Sequence, residues 1–346
     1  MYNSSQTTVI LVVVVLYFAF LLGQGLYFRR RTKSADEYVT ARNIMPIFPL
    51  VLSILGTASG GSTLLGVTQT SFDQGFGYIW MQFPAFIIMI IMNVILIKPI
   101  RNVGNKYKMS TIPDFVALRY GEKLRIPAAI CIVFAFCAIT GLQYIAIATF
   151  LYLMLGLDPS IGIVIGFLLL SIKSYFGGLR AVIWSDTIQG TIQTLGIFAL
   201  LAIGLARSGG WGNVVANAAA AGVPEFTSFY NVDIIDVLMF TLTIGAYQFL
   251  RQDQWQRIWA GKTGKTAFVA QWSSTALNIA VGFAVTAIGV LAKYGLFLEV
   301  PAGSNVFYAM INNVLPFGFQ VVMLVVLMAT IVSCGDSFQL VSASSF

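Results

Sequence analysis

Two carboxylates stand inside apolar stretches that are long enough to cross a membrane. Asp186 lies in WSDTIQGTIQT, and Asp336 lies in SCGDSFQLVSASS. A charge in hydrocarbon costs at least a few kcal/mol, so such residues normally face a cavity or pathway inside a helix bundle. Asp186 could equally be the N-cap of a helix that begins near the cytoplasmic interface. Asp336 lies deeper in its apolar stretch, and for it we favour a functional role.

The polar residues around Asp336 share one helical face. Ser333, Asp336 and Ser337 are three and four residues apart, which places them side by side on a helix. Carboxyl and hydroxyl oxygens together suit a hard cation. The same pattern also fits a serine-rich helix that packs closely on a neighbour. The spacing alone leaves both interpretations open.

A second polar feature is LGTASGGSTLLG, residues 55–66, which also lies within an apolar stretch. Glycine and β-branched threonine weaken a helix. Gly56 and Gly60 form a pair of small residues one turn apart, a pattern that favours close helix packing. A locally unwound helix would also free backbone groups, which in transporters bind an ion and a substrate near the midplane. A second interrupted stretch falls at 241–257, TLTIGAYQFLRQDQWQR.

The chain as a whole has the composition of a helical membrane protein. Of its 346 residues, 58% are hydrophobic and 10% are charged, whereas soluble domains carry about 25% charged residues. The two interrupted stretches fall in the second and seventh spans, as an inverted five-helix repeat after one extra N-terminal helix would place them. The predicted fold is therefore an all-α polytopic membrane protein with one extra N-terminal helix before an inverted-repeat core. Apolar runs predict nine spans, at about 8–28, 45–72, 77–99, 124–156, 160–175, 182–206, 234–250, 266–293 and 318–346.

The positive charges predict the orientation of these spans. FRRRTK follows the first span, and Lys and Arg favour the cytoplasmic side. All Lys and Arg residues except Arg207 and Lys293 fall in the four loops that would then be inside, or at the ends of their helices. We therefore expect a multi-pass protein of the cytoplasmic (plasma) membrane with its N-terminus outside. This distribution also explains the net charge of +7 without nucleic acid as a partner.

Enzymatic chemistry is disfavoured by the residues that are missing. The sequence contains no histidine, the commonest general base and metal ligand. Its three cysteines have no metal-ligand spacing and form no obvious disulfide framework. We find no nucleophile–base pair either, and expect no cofactor apart from a transported ion.

GGLRAVIWSDTIQ, residues 177–189, resembles the most recognisable signature of the sodium:solute symporter family. STLLG after the glycines, TIPDFVALRYG (111–121), QWQRIWAGK (254–262) and SCGDSFQLVSASS (333–345) resemble further blocks of that family in the same order. The resemblance implies a ten-helix core of two inverted repeats. It divides the chain into an extra helix with the first inner loop (1–44), a first repeat (45–206), an outer loop (207–233) and three helices of the second repeat (234–346). We accordingly expect the sequence to be truncated at its C-terminal end.

The resemblance also implies a main sodium site between the second and ninth spans. Cys334 departs from the usual Ser or Thr, and a thiol is a poor ligand for sodium. A second cation site, present in some members, would use Asp186 together with Asp336 and Ser337. The ligands implied for the main site are backbone carbonyls and side chains of Gly56, Ser59, Thr330, Ser333 and Cys334.

The positions that match the family's solute site lie in and after the broken helices. Arg251 could pair with a solute carboxylate, although its place in an inner loop is an equally plain explanation that we slightly favour. The function implied is a secondary active symporter that couples inward sodium movement to uptake of a small polar organic solute through the bilayer. Proton coupling, or a transporter-like sensory domain of a signalling protein, are the alternatives. The solute candidates are Gly60, Thr63, Tyr78, Gln82, Gln248 and Arg251.

Overall fold

The structure, a computed structural model, describes residues 3–301 and 304–346, except for the side chain of Ser62. Within these ranges the chain is helical, and its one isolated bridge joins Met45 to Gly261. The α-helices are α1 (Ser4–Arg29), α2 (Ala35–Thr40), α3 (Ile47–Ala58), α4 (Thr68–Gln74), α5 (Phe83–Ile95), α6 (Ile97–Tyr107), α7 (Ile112–Tyr120), α8 (Arg125–Leu155), α9 (Pro159–Ser208), α10 (Trp211–Ala220), α11 (Ile234–Phe240), α12 (Gln252–Ala260), α13 (Gly264–Val290), α14 (Val306–Val314) and α15 (Phe317–Ser345).

Shorter helical turns connect several of these helices. Three are π-helical turns, at Ser62–Val67, Thr241–Gly245 and Leu291–Gly295. Four are 3₁₀ turns, at Phe76–Met81, Glu122–Leu124, Pro224–Thr227 and Gln248–Leu250. Helix α10 lies within the predicted outer loop, residues 207–233.

The number of apolar helices agrees with the nine predicted spans. In the described ranges, seven helices are long and apolar enough to cross a membrane, and the bent pair that includes α3 makes an eighth. Helix α9 counts once although it holds 50 residues, about 75 Å if straight against a hydrocarbon core of about 30 Å. Its backbone leaves the helical region at Gly178, with φ 58° and ψ −172°. The two halves of α9 then supply the fifth and sixth spans.

Both predicted interruptions are present. Helix α3 ends at Ala58, and Ser59 adopts φ −108° and ψ 62° before the chain resumes as a π-helical turn. The two arms of this second span are bent by 54°. The seventh span changes to a π-helical turn at Thr241–Gly245 and breaks again at Arg251, with φ −71° and ψ 86°. Both π-helical turns contain threonine and glycine, which weaken a helix, so these residue types indicate where the two spans are interrupted.

Helix α15 lies in the interior of the bundle, next to the first break. It packs against α8, α9 and α3, and α3 in turn packs against α9 and α13. Nearly every residue of α15 from Met323 to Val341 is buried. A helix that is apolar on most faces and surrounded by protein belongs to the core of a bundle. Three helices, α3, α9 and α15, consequently meet around the few polar side chains that they carry.

The loops predicted to lie inside meet at one end of the bundle. Asn43 accepts a hydrogen bond from Arg101 over 2.6 Å, and its backbone N–H donates to the Trp259 carbonyl over 3.0 Å. Arg180 forms an ion pair with Glu37, with 2.8 Å between Nη1 and Oε1. All four of these loops are therefore linked by direct contacts, as a common side of the membrane requires.

An ion pair in the first of these loops stabilises the same end. Arg42 lies 2.7 Å from Asp36 and also donates to the carbonyls of Gly104 and Met109. Partial burial raises the pKa of Asp36, but the hydrogen bonds and charge of Arg42 outweigh it, and the net pKa lies below its usual value. The carboxylate form of Asp36 is thus favoured where the first and second inner loops meet.

Candidate cation site

The Asp186 carboxylate is the centre of a buried polar cluster. Its Oδ2 accepts hydrogen bonds from Ser53 Oγ over 2.6 Å and from Arg257 Nη2 over 2.9 Å, and its Oδ1 accepts one from Ser333 Oγ over 2.6 Å. Asp186 is fully buried and lies inside α9, beyond the break at Gly178. It does not cap a helix, so the N-cap alternative is wrong and the interior one holds.

Ser333 joins this carboxylate to the first break. A Cβ added to Gly56 would lie 2.7 Å from Ser333 Oγ, so α3 and α15 approach each other closely at this point. A hydroxyl has one hydrogen and two lone pairs. Because Ser333 gives its hydrogen to Asp186, its lone pairs are free to accept or to coordinate on the side of Gly56.

The carbonyls at the end of α3 point to its neighbours. The last carbonyls of a helix have no partner within that helix and need one elsewhere. The Thr57 carbonyl accepts from the Cys334 thiol over 3.4 Å, and the Ser59 carbonyl accepts from Gln193 Nε2 over 2.7 Å. A Cβ on Gly60 would lie 2.5 Å from Cys334 Sγ. The break therefore opens towards α15 and α9.

The structure brings most of the predicted main-site residues together. Gly56 contacts Ser333, and Cys334 contacts both Gly60 and Thr57. The Ser59 hydroxyl donates to Asn278 Oδ1 of α13 over 3.1 Å. Thr330 lies about one turn before Ser333 and Cys334 on α15 and is fully buried. Its hydroxyl donates to the Val326 carbonyl of the same helix over 2.8 Å. Its carbonyl remains a predicted ligand.

The residues predicted for a second cation site are distributed differently. Asp186 and Ser337 lie together, but the group between them is the Arg257 guanidinium, whose Nη2 is 2.9 Å from Asp186 Oδ2 and 2.7 Å from Ser337 Oγ. Asp336 does not join them. Its Oδ2 forms a fully buried ion pair with Lys173 on the first half of α9. All three side chains lie on the polar face of α15, but Asp336 and Ser337 are successive residues about 100° apart. Asp336 therefore reaches Lys173 at one edge of this face, whereas Ser337 reaches Arg257 at the other.

The predicted solute residues lie around the second and third spans and the break of the seventh. Tyr78 packs edge-on against Phe240, with 5.7 Å between the ring centroids. Helix α5, which follows Gln82, packs against the interrupted segment that holds Gln248. In the described part of the chain, Gln82 Nε2 and Gln248 Oε1 are buried and have no hydrogen-bond partner. Unpaired buried polar atoms are costly unless a ligand or water satisfies them.

The remaining solute candidates are less open to a ligand. Gly60 is buried against Cys334, whereas Thr63 is half-buried just after the break. Arg251 is buried and forms an ion pair with Asp253, with 2.5 Å between Nη2 and Oδ2. A solute carboxylate would have to displace Asp253 to reach it. The alternative that Arg251 is simply a cation of an inner loop does not explain its position either, because its side chain is buried.

A sequence profile of the sodium:solute symporter family matches residues 38–346. This chain belongs to the sodium:solute symporter family. The resemblance predicted from the sequence motifs is thereby confirmed. The family and its relatives are transporters, in agreement with the prediction that the chain is not an enzyme.

Several curated members of the family are similar to this chain at a modest level. The sodium/sialic acid symporter SiaT of Proteus mirabilis is 24% identical over 71% of this chain and 44% of its own length. The sodium/pantothenate symporter of Haemophilus influenzae is 25% identical over 56% and 40%, and sodium/glucose cotransporter 1 of Ovis aries is 24% identical over 64% and 33%. The chain spans less than half the length of these relatives.

A solved structure supports the fold. It is described as the substrate-bound outward-open state of a Na+-coupled sialic acid symporter that reveals a novel Na+-site. The two structures superimpose with a TM-score of 0.80 over 97% of this chain and 73% of the other, at 23% identity. This likeness confirms an all-helical symporter fold.

The sequence alone does not single out four residues of these buried contacts: Ser53, Thr57 and Arg257 near Asp186, and Lys173 beside Asp336. The distribution of positive charge assigns Lys173 and Arg257 to inner loops or helix ends. A signal for both exists, because Lys173 follows GFLLLSI and Arg257 lies between Trp255 and Trp259 in QWQRIW. A charge with apolar neighbours on both sides indicates burial with a partner.

Proposed function

We propose that the protein carrying this chain is a secondary active symporter that couples inward sodium movement to uptake of a small polar organic solute. The observation that carries the proposal is the break in α3, which faces Ser333 and Cys334 across a glycine contact. Broken helices of this kind hold ions and substrates in membrane transporters. Sodium is the proposed coupling ion because the chain belongs to the sodium:solute symporter family.

Sodium would be held by oxygen atoms from both helices. The proposed ligands are the carbonyls of Gly56, Ser59 and Thr330 and the side chains of Ser333 and Cys334. A set dominated by oxygens suits a hard monovalent cation. Asp186 would act as a positioning residue, because its hydrogen bond to Ser333 fixes the hydroxyl with its lone pairs directed away from the carboxylate.

Sodium binding would join the first break to α15 and thereby order the solute site next to it. The proposed solute residues begin at Gly60, immediately after the carbonyls that face the ion, and include Thr63 about one turn later on the same arm. Gln82 and Gln248 would satisfy their unpaired amide atoms with polar groups of the solute. Coupling is then a free energy shared by two adjacent sites.

The class of solute is supported by the relatives, whose names give sialic acid, pantothenate and glucose. All three are small polar organic molecules. Tyr78 and Arg251 would contribute an aromatic surface and a nearby positive charge. The orientation with the N-terminus outside the cytoplasmic membrane is supported by the four Lys- and Arg-rich loops, which meet at one end of the bundle.

The test is uptake of labelled solutes from this class into proteoliposomes that contain the whole protein carrying this chain, with and without an inward sodium gradient. Ser333→Ala should raise the sodium concentration for half-maximal uptake about 10-fold or more, since it removes a ligand and unpairs Asp186 Oδ1. Ser342→Ala is the matched control, because that hydroxyl donates to the Phe338 carbonyl of the same helix, outside the cluster.

The proposed function predicts three results in this assay. Uptake must require sodium, Ser333→Ala must shift its sodium dependence, and Ser342→Ala must leave that dependence in place. Uptake driven by a proton gradient in the absence of sodium would overturn the ion. An equal shift in both variants would remove Ser333 from the site.

A further inference from the structure

The basic segment, residues 29–33 (RRRTK) at the end of α1, carries four positive charges without a counter-ion. All four charged side chains are exposed. The loop that follows α1 contains two carboxylates, and both are engaged elsewhere. Asp36 pairs with Arg42, and Glu37 pairs with Arg180. In the part of the chain that the structure describes, the four cationic side chains of the basic segment therefore have neither an ion pair nor a hydrogen bond.

Aromatic rings orient two of these cations. The Arg29 guanidinium lies over the ring of Phe176, 5.0 Å from its centroid, and the Arg31 guanidinium lies over Tyr27, 4.6 Å from its centroid. A guanidinium that stacks on a ring keeps the N–H groups at its edge free, and these groups match the oxygens of a phosphate. The sidedness of a membrane helix needs positive charges near its end but sets no condition on how they are oriented.

An apolar surface leads from the basic segment into the hydrocarbon. A Cβ added to Gly23 would have no atom within 4 Å, so this face of α1 is open. At Gly25 the added Cβ would lie 3.3 Å from the Lys173 carbonyl oxygen, so α1 adjoins the first half of α9. Residues one turn apart share a helical face. The exposed side chains on these two faces are Leu16, Phe20 and Tyr27 of α1 and Leu168, Ile172 and Tyr175 of α9.

We propose that an anionic phospholipid binds at this end of α1, with its phosphate on the basic segment and its acyl chains on the exposed faces of α1 and the first half of α9. A soluble anion would neutralise the charges but leave the apolar faces unused. A zwitterionic lipid would cover the faces but bring no net negative charge. Clusters of four or more Lys and Arg directly after a membrane helix attract anionic lipids for the same electrostatic reason.

The bound lipid would also stabilise the junction between the two halves of α9, because the basic segment leads directly into α2. The Tyr38 hydroxyl of α2 donates to the carbonyls of Ser174 and Tyr175, over 2.8 and 3.2 Å. A Cβ added to Gly178, where α9 breaks, would lie 2.7 Å from the Tyr38 carbonyl oxygen. Helix α2 thus packs on the break of α9 just beyond the proposed lipid site.

The test is native mass spectrometry of the whole protein that carries this chain, titrated in detergent with phosphatidylglycerol, phosphatidylcholine or glycerol phosphate. We expect the apparent dissociation constant of phosphatidylglycerol to be at least about 10-fold below that of phosphatidylcholine, since four cations act on its charge. Equal constants for the two lipids would overturn the proposal. Displacement of phosphatidylglycerol by equimolar glycerol phosphate would replace the lipid by a soluble anion, and would also overturn it.

Variants place the lipid on the basic segment. Each cation near the surface contributes about 5-fold in affinity, so Arg29→Gln with Arg31→Gln should raise the dissociation constant of phosphatidylglycerol by about 30-fold. The matched control is Arg119→Gln with Lys123→Gln, which removes two charges from exposed positions in another basic loop at the same end of the bundle. The control should change the constant by less than about 3-fold. An equal loss in both double variants would show general attraction of anionic lipid instead of a site.

Thermal unfolding of the wild type gives a second readout that needs no variant. A ligand that binds the folded state raises its Tm. Phosphatidylglycerol should therefore raise the Tm of the detergent-solubilised protein, and equimolar phosphatidylcholine should raise it less. An equal rise with both lipids would overturn the proposal even if the Arg29 and Arg31 double variant does not fold.

Discussion

The buried pair of Lys173 and Asp336 gives a stability prediction that depends on its complete exclusion from solvent. The two side chains are 1% and 0% exposed. Removing one partner of such a pair leaves an uncompensated charge in a low-dielectric interior. We expect Lys173→Met and Asp336→Leu each to lower the free energy of unfolding by about 3–5 kcal/mol.

The double variant should behave very differently. With both charges replaced by apolar groups of similar volume, the remaining cost is only that of repacking, and such replacements in other proteins are neutral or stabilising by about 1–4 kcal/mol. Asp336 Oδ1, which is buried and has no hydrogen-bond partner in the described residues, would also be removed. The double-mutant cycle should therefore give a coupling energy of several kcal/mol.

The assay is denaturant-induced unfolding in detergent micelles, followed by tryptophan fluorescence, for wild type, both single variants and the double variant. The control cycle uses Arg125 and Glu122, an ion pair whose side chains are 46% and 74% exposed. Exposed pairs contribute about 0–1 kcal/mol. The control cycle should thus show little coupling under the same conditions.

Two results would refute this reasoning. Single variants that cost less than about 1 kcal/mol would show that the pair is solvated or that its charges are already neutralised by proton transfer. A double variant as unstable as the sum of the two singles would show that repacking dominates and that the ionic contact contributes nothing.

Two further predictions concern the first break. Gly60→Ala places a Cβ 2.5 Å from Cys334 Sγ and 2.9 Å from its Cβ; we expect a loss of about 1–3 kcal/mol in unfolding free energy. Gly66→Ala, with nothing within 4 Å, should cost little, and equal losses would argue against close packing at Gly60. Cys334→Ser replaces a thiol by a hydroxyl, a better sodium ligand, and should lower the sodium concentration for half-maximal uptake by about 10-fold. Cys137→Ser, at an exposed position, is its control, and an unchanged half-maximal concentration would exclude residue 334 as a ligand.

The sequence alone determined the spans and the positions of the two broken helices. These features depend on local properties that the chain carries in order: the length of apolar runs, and glycines with hydroxyl residues where a helix must end. The break at Ser59 and the irregular segment before Arg251 were therefore predictable. Family motifs added which residues of α15 face the first break, and Ser333 and Cys334 do so in the structure.

Only the tertiary structure decided which charges neutralise each other. Their positions in the sequence predict Arg257 and Lys173 to be loop or helix-end cations, because positive charges near helix ends usually mark the cytoplasmic side. Both side chains are instead buried against carboxylates far away in sequence, 71 residues from Arg257 to Asp186 and 163 from Lys173 to Asp336. A helix end can direct a long side chain to water or into the bundle, and the packing of α12 and α9 against their neighbours made that choice here.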